Sequence, residues 1–279
     1  MAMTQEELEP ILETVFIKAQ RDLSGYSTDF LHSIIRQRLD HTRCTDILSY
    51  TGMLNRDQRE IQCFVAALNI SFSQFFRDPL DFLILGRYLV PEISRDKHRH
   101  DPFLRIWSAA CAEGQEPYSL AIMMEDQNKV YGRNCPYSIL ATDIADEALE
   151  KARRGMYDQS LLSRLSHKTL SEYFVADGSM WKVCDPIRKK IEFVHYDILD
   201  EFTTAPPSSV FTGYDIIYCS NLLIYYKERI RIRILRKLYY SLNPGGCLVV
   251  DESEKEMVKT FPGFHPYSNI GNIFVKLNF

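Results

Sequence analysis

Apolar positions in the first third of the chain recur at helical spacing. Leu8, Ile11, Leu12, Val15 and Phe16 make one stripe, and Phe30, Leu31, Ile34, Ile35 and Leu39 make a second. Ser27 and Thr28 stand where the N-cap of the second helix is expected. Ile61, Phe64, Val65 and Leu68 give a third stripe. The pattern predicts a helical domain over residues 1–90. It is followed by a polar, proline-terminated connection, Asp96-Lys97-His98-Arg99-His100-Asp101-Pro102.

Beyond that connection short apolar runs alternate with helical stretches. Residues 104–109, 137–142, 191–196, 214–219 and 247–250 read as strands. Between them, helices are expected from Pro117 to Met124, from Asp146 to Arg154 with Gly155 as the stop, and from Lys227 to Leu242. The last of these is ended by Asn243-Pro244-Gly245-Gly246, and residues 267–277 read as a closing hairpin. Such alternation predicts an α/β fold with a mostly parallel, doubly wound sheet over residues 91–279. The stretch between Gly155 and Lys190 breaks the rhythm. It reads as a small inserted β-subdomain at about 160–190, with a helix-like run from Leu161 to Phe174 and a hairpin around Asp177-Gly178-Ser179.

Composition narrows the classes. Of 279 residues, 46% are hydrophobic and 25% charged, which suits a globular chain with its own core. With 33 basic against 37 acidic residues, the net charge of −4 argues against a chain built to grip nucleic acid. No apolar run is long enough to cross a membrane, and the acidic start MAMTQEELEP lacks the basic region of a signal peptide. Seven dispersed cysteines without a CxxC pair argue against a zinc cage and suit a reducing cytoplasm. A cytoplasmic protein without metal or membrane insertion is expected.

In an open α/β sheet, ligands bind outside the carboxyl ends of the strands. Four segments fall there. The first is the small-residue loop Ala109-Ala110-Cys111-Ala112-Glu113-Gly114, where a ligand could approach the backbone closely. The second is Asp143, placed either to accept both hydroxyls of a ribose or to cap the next helix. The third is Asp197-Ile198, suited to an adenine amino group and ring face. The fourth is Ser220-Asn221. The loop lacks a P-loop lysine and the GxGxxG pattern, so the site suits a nucleoside without phosphates, which points to S-adenosylmethionine.

Several stretches match one family. These are Phe75-Phe76-Arg77-Asp78, residues 107–111 through Glu116-Pro117-Tyr118-Ser119, Ala141-Thr142-Asp143-Ile144 with 150–153, Cys219 with Asn221 and Ile224-Tyr225, and Asn243-Pro244-Gly245-Gly246. On these residues the chain resembles the bacterial chemotaxis receptor glutamate methyltransferases, the CheR family, over nearly its whole length. The resemblance implies a Rossmann-like methyltransferase domain, S-adenosylmethionine as cofactor and S-adenosylhomocysteine as product. It also implies glutamate methyl ester formation on the cytoplasmic helical bundle of a chemoreceptor.

The resemblance further implies residue roles. Arg77 would hold the methionine carboxylate, Ser71 and Ser73 would line the cofactor site, and Glu116 would meet the amino end. Asp143 would take the ribose, and Asp197 with Ile198 the adenine; Ser220, Asn221 and Ala110 would complete the lining. Tyr225 would orient the methyl group or the carboxylate, or else be a packed aromatic. Arg36 and Arg38 would face the receptor helices, or else form an ordinary solvated face. The sequence departs from the family at Ser71, at Ser220 and at Asp251-Glu252-Ser253-Glu254, where Gly-His-Ser-Glu is more usual. The substitutions at Ser71, Ser220 and Glu252 favour, as one alternative, a methyltransferase acting on another substrate; a non-catalytic cofactor-binding signalling module is a second. The short hairpin loop at 175–181 implies that a receptor tail does not tether here.

Overall fold

In the computed structural model, the residues described are 5–70, 73–97, 103–132, 135–203, 205–206 and 213–276. The chain divides into two units, Met1–Ile70 with Ile224–Arg231, and Ser71–Leu223 with Ile232–Phe279.

The first unit holds helices α1 (Gln5–Ala19), α2 (Thr28–Thr42), α3 (Ile47–Arg56) and α4 (Gln58–Ala67). The expected stripes supply its core: Leu8, Ile11 and Val15 from α1, Phe30, Leu31, Ile34 and Ile35 from α2, Ile61 and Phe64 from α4. Ser27 caps α2 by accepting the Phe30 N–H, Asp46 caps α3 through Ser49, and Asp57 caps α4 through Arg59. Helix α3 was not among the expected elements. It buries only Tyr50 and Leu54, too sparse a stripe to stand out in the sequence. Residues 224–231 join this unit by backbone pairing: Ser27 N–H donates to the Tyr225 carbonyl at 2.8 Å and Lys227 N–H to that of Gly25 at 2.9 Å.

The second unit is built on a seven-stranded sheet. Its strands are β1 (Leu104–Ala109), β2 (Tyr137–Asp143), β6 (Ile191–His195), β7 (Tyr214–Tyr218), β8 (Leu242–Val249), β9 (Phe264–Pro266) and β10 (Ile273–Lys276). The order is β6-β2-β1-β7-β8-β10-β9. The first five strands are parallel, and β10 and β9 close the edge antiparallel, as the closing hairpin required. This is a Rossmann-like, doubly wound sheet with an antiparallel edge. From β1 the chain winds outward through β2 to β6, then returns to β7 on the other side of β1, which makes the β1/β7 boundary a switch point for ligands.

Helices cover the sheet: α5 (Pro79–Ile84), α6 (Val90–Lys97), α7 (Gln115–Tyr131), α8 (Asp146–Arg154), α11 (Glu228–Ser241) and α12 (Lys255–Lys259). A π-helical turn, Leu85–Leu89, joins α5 to α6. Of the expected polar connection, residues 98–102 lie outside the described residues. Trp107, wholly buried, donates its indole N–H to Thr142 Oγ1 at 2.9 Å, so the β1–β2 pair carries no unmet donor there.

Helix α11 ends at Ser241, as the stop at Asn243-Pro244-Gly245-Gly246 predicts, but the strand expected from Cys247 begins already at Leu242. These residues lie inside β8, where the register jumps from Tyr214↔Leu242 to Ile216↔Cys247. Proline and glycines are tolerated because the irregular pairing asks no ladder bond of them.

The insertion is a second, three-stranded sheet of order β3-β5-β4, from β3 (Met156–Asp158), β4 (Phe174–Asp177) and β5 (Met180–Val183). The anticipated hairpin is β4–β5, turned at Gly178-Ser179. The run read as one helix is a 3-10 turn, Gln159–Leu162, followed by α9 (His167–Tyr173), with α10 (Asp185–Arg188) after β5. Phe174 and Val183 anchor it in the main core.

Among the described residues, no helix is long and apolar enough to cross a membrane.

Candidate cofactor site at the carboxyl ends of the strands

The loop after β1 takes an unusual path. Ala110, Ala112 and Gly114 all have left-handed backbones, at φ +59°, +50° and +93°. Two ties hold it. Cys111 N–H donates to the Thr142 carbonyl at 2.9 Å, and Ala112 N–H donates to Asp143 Oδ2 at 2.8 Å. Small side chains are needed because the loop passes close to helix α8: a Cβ on Gly114 would stand 2.8 Å from that of Ala152.

Asp143, at the end of β2, also accepts the Ala145 N–H through Oδ1 at 2.9 Å. One carboxylate thus fixes the loop after β1 and the turn into α8. Each oxygen keeps a lone pair for a hydroxyl donor. Burial pushes the Asp143 pKa up, opposed by the N–H groups of Ala145, Ala112 and Ile144.

Glu116 lies in the first turn of α7, where Ser108 Oγ donates to its Oε1 at 2.7 Å. Burial lifts its pKa to about 8. The Ser108 bond and Arg77 pull the other way, while Glu254 and Asp78 push it up. Ser119, one turn further on, accepts the Phe76 N–H at 2.9 Å, while Phe76 holds φ +46°. Phase is set by packing as well: Phe75 is fully buried edge-on against Tyr157 and Phe174. These contacts place Arg77, whose Nε lies 3.4 Å from Asp251 Oδ2.

Glu254 accounts for the loops after β7 and β8. It is wholly buried and accepts three backbone N–H groups: Leu223 at 2.6 Å, Asn221 at 2.9 Å and Asp251 at 3.1 Å. Burial raises its pKa to about 7 against the pull of those donors. Asn221 takes φ +60°, and Ser220 Oγ lies 3.0 Å from its Oδ1. Asp78 adds a buried Oδ2 without a partner among the described residues, its pKa raised first by burial and then by Asp251 and Asp81.

Asp197 and Ile198 follow β6 and are half-buried; Asp197 Oδ1 accepts the Leu199 N–H at 2.8 Å, which shapes the turn. Ser73 is half-buried, and Ser71 lies outside the described residues. Arg77, Ala110, Glu116, Asp143, Ser220 and Asn221 therefore all sit on the loops leaving β1, β2 and β7 or on the segment tied to α7. Tyr225, Arg36 and Arg38 belong to the first unit. There the Tyr225 ring packs 4.7 Å from that of Phe30. Arg36 is exposed.

Arg38 corrects the expectation of a free docking charge. Its Nε and Nη2 bind Glu60 Oε1 and Oε2 at 2.9 and 2.6 Å, and the side chain is only 13% exposed. Tyr50 donates to the same carboxylate at 2.7 Å. A bidentate fork satisfied inside the helical unit leaves no charge to offer a partner.

Ser108, Ser119 and Glu254 escaped the sequence reading as site builders, and Asp251 entered it only as a departure from the family pattern. Asp251-x-x-Glu254 has the spacing of a capping box, and that is what it forms here. The pattern announces a turn, not that its acid also reaches Asn221 and Leu223.

The description "CheR methyltransferase, SAM binding domain" matches residues 71–264, most of the second unit. The chain belongs to the CheR methyltransferase family. Among relatives of this CheR chain, the chemotaxis protein methyltransferase of Salmonella typhimurium is 30% identical over 261 residues, covering 91% of this chain and 85% of its own. That of Vibrio parahaemolyticus is 35% identical over 211 residues, covering 71% and 73%. An uncharacterized 104.1 kDa protein of Rhodobacter capsulatus is 28% identical across 89% of this chain, which spans only 25% of that protein.

Family membership makes S-adenosylmethionine the cofactor, and the donor set fits it. The Arg77 guanidinium near the carboxylates of Asp78, Glu116 and Asp251 suits an amino acid end with one negative and one positive group, beside a sulfonium. Asp143 suits a diol. Among the described residues no group of three or more His, Cys, Asp or Glu side chains could hold a metal ion.

Proposed function

We propose that this CheR-family chain methylates glutamate side chains on the cytoplasmic helices of a chemoreceptor, giving methyl esters in chemosensory adaptation. The observation that carries the reading is the family match over 71–264 falling on a strand-end site with Asp143, Glu116 and Arg77 together. The Salmonella and Vibrio relatives are named chemotaxis protein methyltransferases, which supports the reading.

When bound, S-adenosylmethionine supplies an electrophilic methyl group on a sulfonium. Asp143 accepts from the ribose hydroxyls, and Asp197 with Ile198 meets the adenine. Arg77 binds the methionine carboxylate, and Glu116 in its ionised form accepts from the ammonium. Ala110, Ser71, Ser73, Ser220 and Asn221 line the remainder. A substrate glutamate, with a pKa near ~4.3, is already ionised at neutral pH, so no general base is required. The chain then has to align and desolvate, and proximity supplies most of the acceleration. Tyr225 is assigned the orienting role near the acceptor carboxylate.

The helical region is assigned to receptor docking, with exposed Arg36 steering an acidic helix surface. The β4–β5 turn at Gly178-Ser179 favours engagement without a tethered tail. The chain acts in the cytoplasm, where such receptor helices lie.

The test is transfer of labelled methyl from S-adenosylmethionine to receptor-containing membranes, read as base-labile label. Label with the wild type that is lost in Asp143→Ala supports the reading. Binding of S-adenosylhomocysteine without label on any receptor overturns the substrate assignment.

A further inference from the structure

Asp251 stands where its relation to Arg77 decides how the amino acid end of a ligand is read. Its Oδ1 is held twice by Ser253, from N–H at 2.9 Å and from Oγ at 2.6 Å. Its own N–H is held by Glu254. The carboxylate is therefore immobile and is only 12% exposed. Burial works against its charge, but the Ser253 and Asn221 hydrogen bonds and Arg77 outweigh it and hold the pKa below the ordinary carboxylate range. Asp251 thus keeps a fixed negative charge.

The guanidinium nitrogen nearest that charge is Nε, at 3.4 Å, and the Arg77 side chain is 34% exposed. Asp251 is its only ion-pair partner among the described residues. An arginine gripped from its Nε side keeps Nη1 and Nη2 as a second, end-on fork, the geometry that receives a carboxylate. A long side chain without such a contact would have to give up its rotamer freedom on binding. Asp78 and Glu116 also feel the Arg77 charge and would compete for an unheld guanidinium.

We infer that Asp251 is a positioning residue that fixes Arg77 by its Nε side, so that the terminal nitrogens are set to receive the carboxylate of the bound cofactor. The inference rests on the cofactor reading above and assigns Asp251 the preference for ligands that carry that carboxylate. Asp251 is thereby assigned an action through Arg77.

The experiment is calorimetric titration of the full chain with two ligands. One is S-adenosylhomocysteine; the other is S-adenosyl-3-thiopropylamine, the same molecule without the carboxylate. Their affinity ratio measures carboxylate recognition alone. Asp251→Ala is expected to lower the ratio about tenfold, through loss of the 3.4 Å ion pair that orients Arg77, with the amine binding unchanged. Asp251→Asn keeps an acceptor for the Ser253 turn and removes only the charge, so it reports from a folded chain even if the alanine variant does not fold. Its ratio is expected to fall at least about threefold by the same argument. An unchanged ratio in Asp251→Asn, tighter S-adenosylhomocysteine binding in either variant, or equal weakening of both ligands overturns the inference. Respectively these would make Asp251 irrelevant, a competitor for Arg77, or merely structural. Wild-type chain that binds neither ligand would instead overturn the cofactor reading.

Discussion

Glu254 accepts the Asn221 N–H at 2.9 Å from a wholly buried position, and the same carboxylate takes up Leu223 and Asp251. One side chain on the segment after β8 thereby shapes the loop after β7. The φ +60° conformation of Asn221 is sustained by that bond.

Replacing Glu254 by alanine strands three buried N–H groups. A loss of about 3 kcal/mol in unfolding free energy is expected, together with loss of S-adenosylhomocysteine binding. Glu254→Gln keeps one acceptor oxygen and falls between. Urea denaturation and calorimetry on both variants check this; full affinity in Glu254→Ala would show that the loop holds its shape unaided.

The two glutamates raised furthest set an unusual pH response. Glu116 titrates at about 8 in the fold and Glu254 at about 7, against an ordinary value of 4.5. Between those values the native state keeps protons that the unfolded state has released, so stability falls as pH rises. Their contribution is fully present below about pH 4.5 and is lost through about pH 7 for Glu254 and about pH 8 for Glu116. Melting temperatures measured across that range should decline, and Glu116→Gln should flatten the upper part. Parallel curves for the two proteins would refute the assignment to Glu116.

Gly114→Ala meets two obstacles, φ +93° and a contact of 2.8 Å with the Ala152 Cβ. The combined strain should cost about 1–3 kcal/mol and displace the loop that Asp143 holds. A lowered melting temperature with at least about tenfold weaker S-adenosylhomocysteine binding is the expected result. Gly132→Ala has a similar φ of +57° but nothing within 4 Å, so it should lower stability while leaving affinity intact.

In the helical unit, Arg38 and Arg36 should separate cleanly. Arg38→Ala leaves the buried Glu60 charge with Tyr50 alone and should cost about 3 kcal/mol in chemical denaturation. Arg36→Ala, on an exposed position, should stay within about 0.5 kcal/mol. If Arg36 steers the receptor, its removal should slow methylation at low salt and matter less at high salt, since screening shortens the reach of the charge.

Much of this protein is determined locally, and the sequence alone carries it. The stripes of α1 and α2, the apolar runs of β1, β2 and β7, and Gly155 ending α8 at φ +62° are consequences of periodicity and backbone freedom within a few residues. Chain order then limits the topology, because alternating strands and helices wind a parallel sheet whose ligands gather at one end. Asp143 and the Ala110–Gly114 loop could be placed on that end for this reason. The tertiary structure alone decided which charges remain available. Arg36 and Arg38 differ by two positions on one helix, yet one is exposed and the other is locked to Glu60, 22 residues away. Asn243-Pro244-Gly245-Gly246 does follow the end of α11 at Ser241, but only pairing with a neighbouring strand makes it part of β8. Glu254 reads as half of a local cap, while its further partners lie 31 and 33 residues back. A carboxylate's partners depend on which donors folding carries to within about 3 Å, a relation between distant segments that no local pattern encodes.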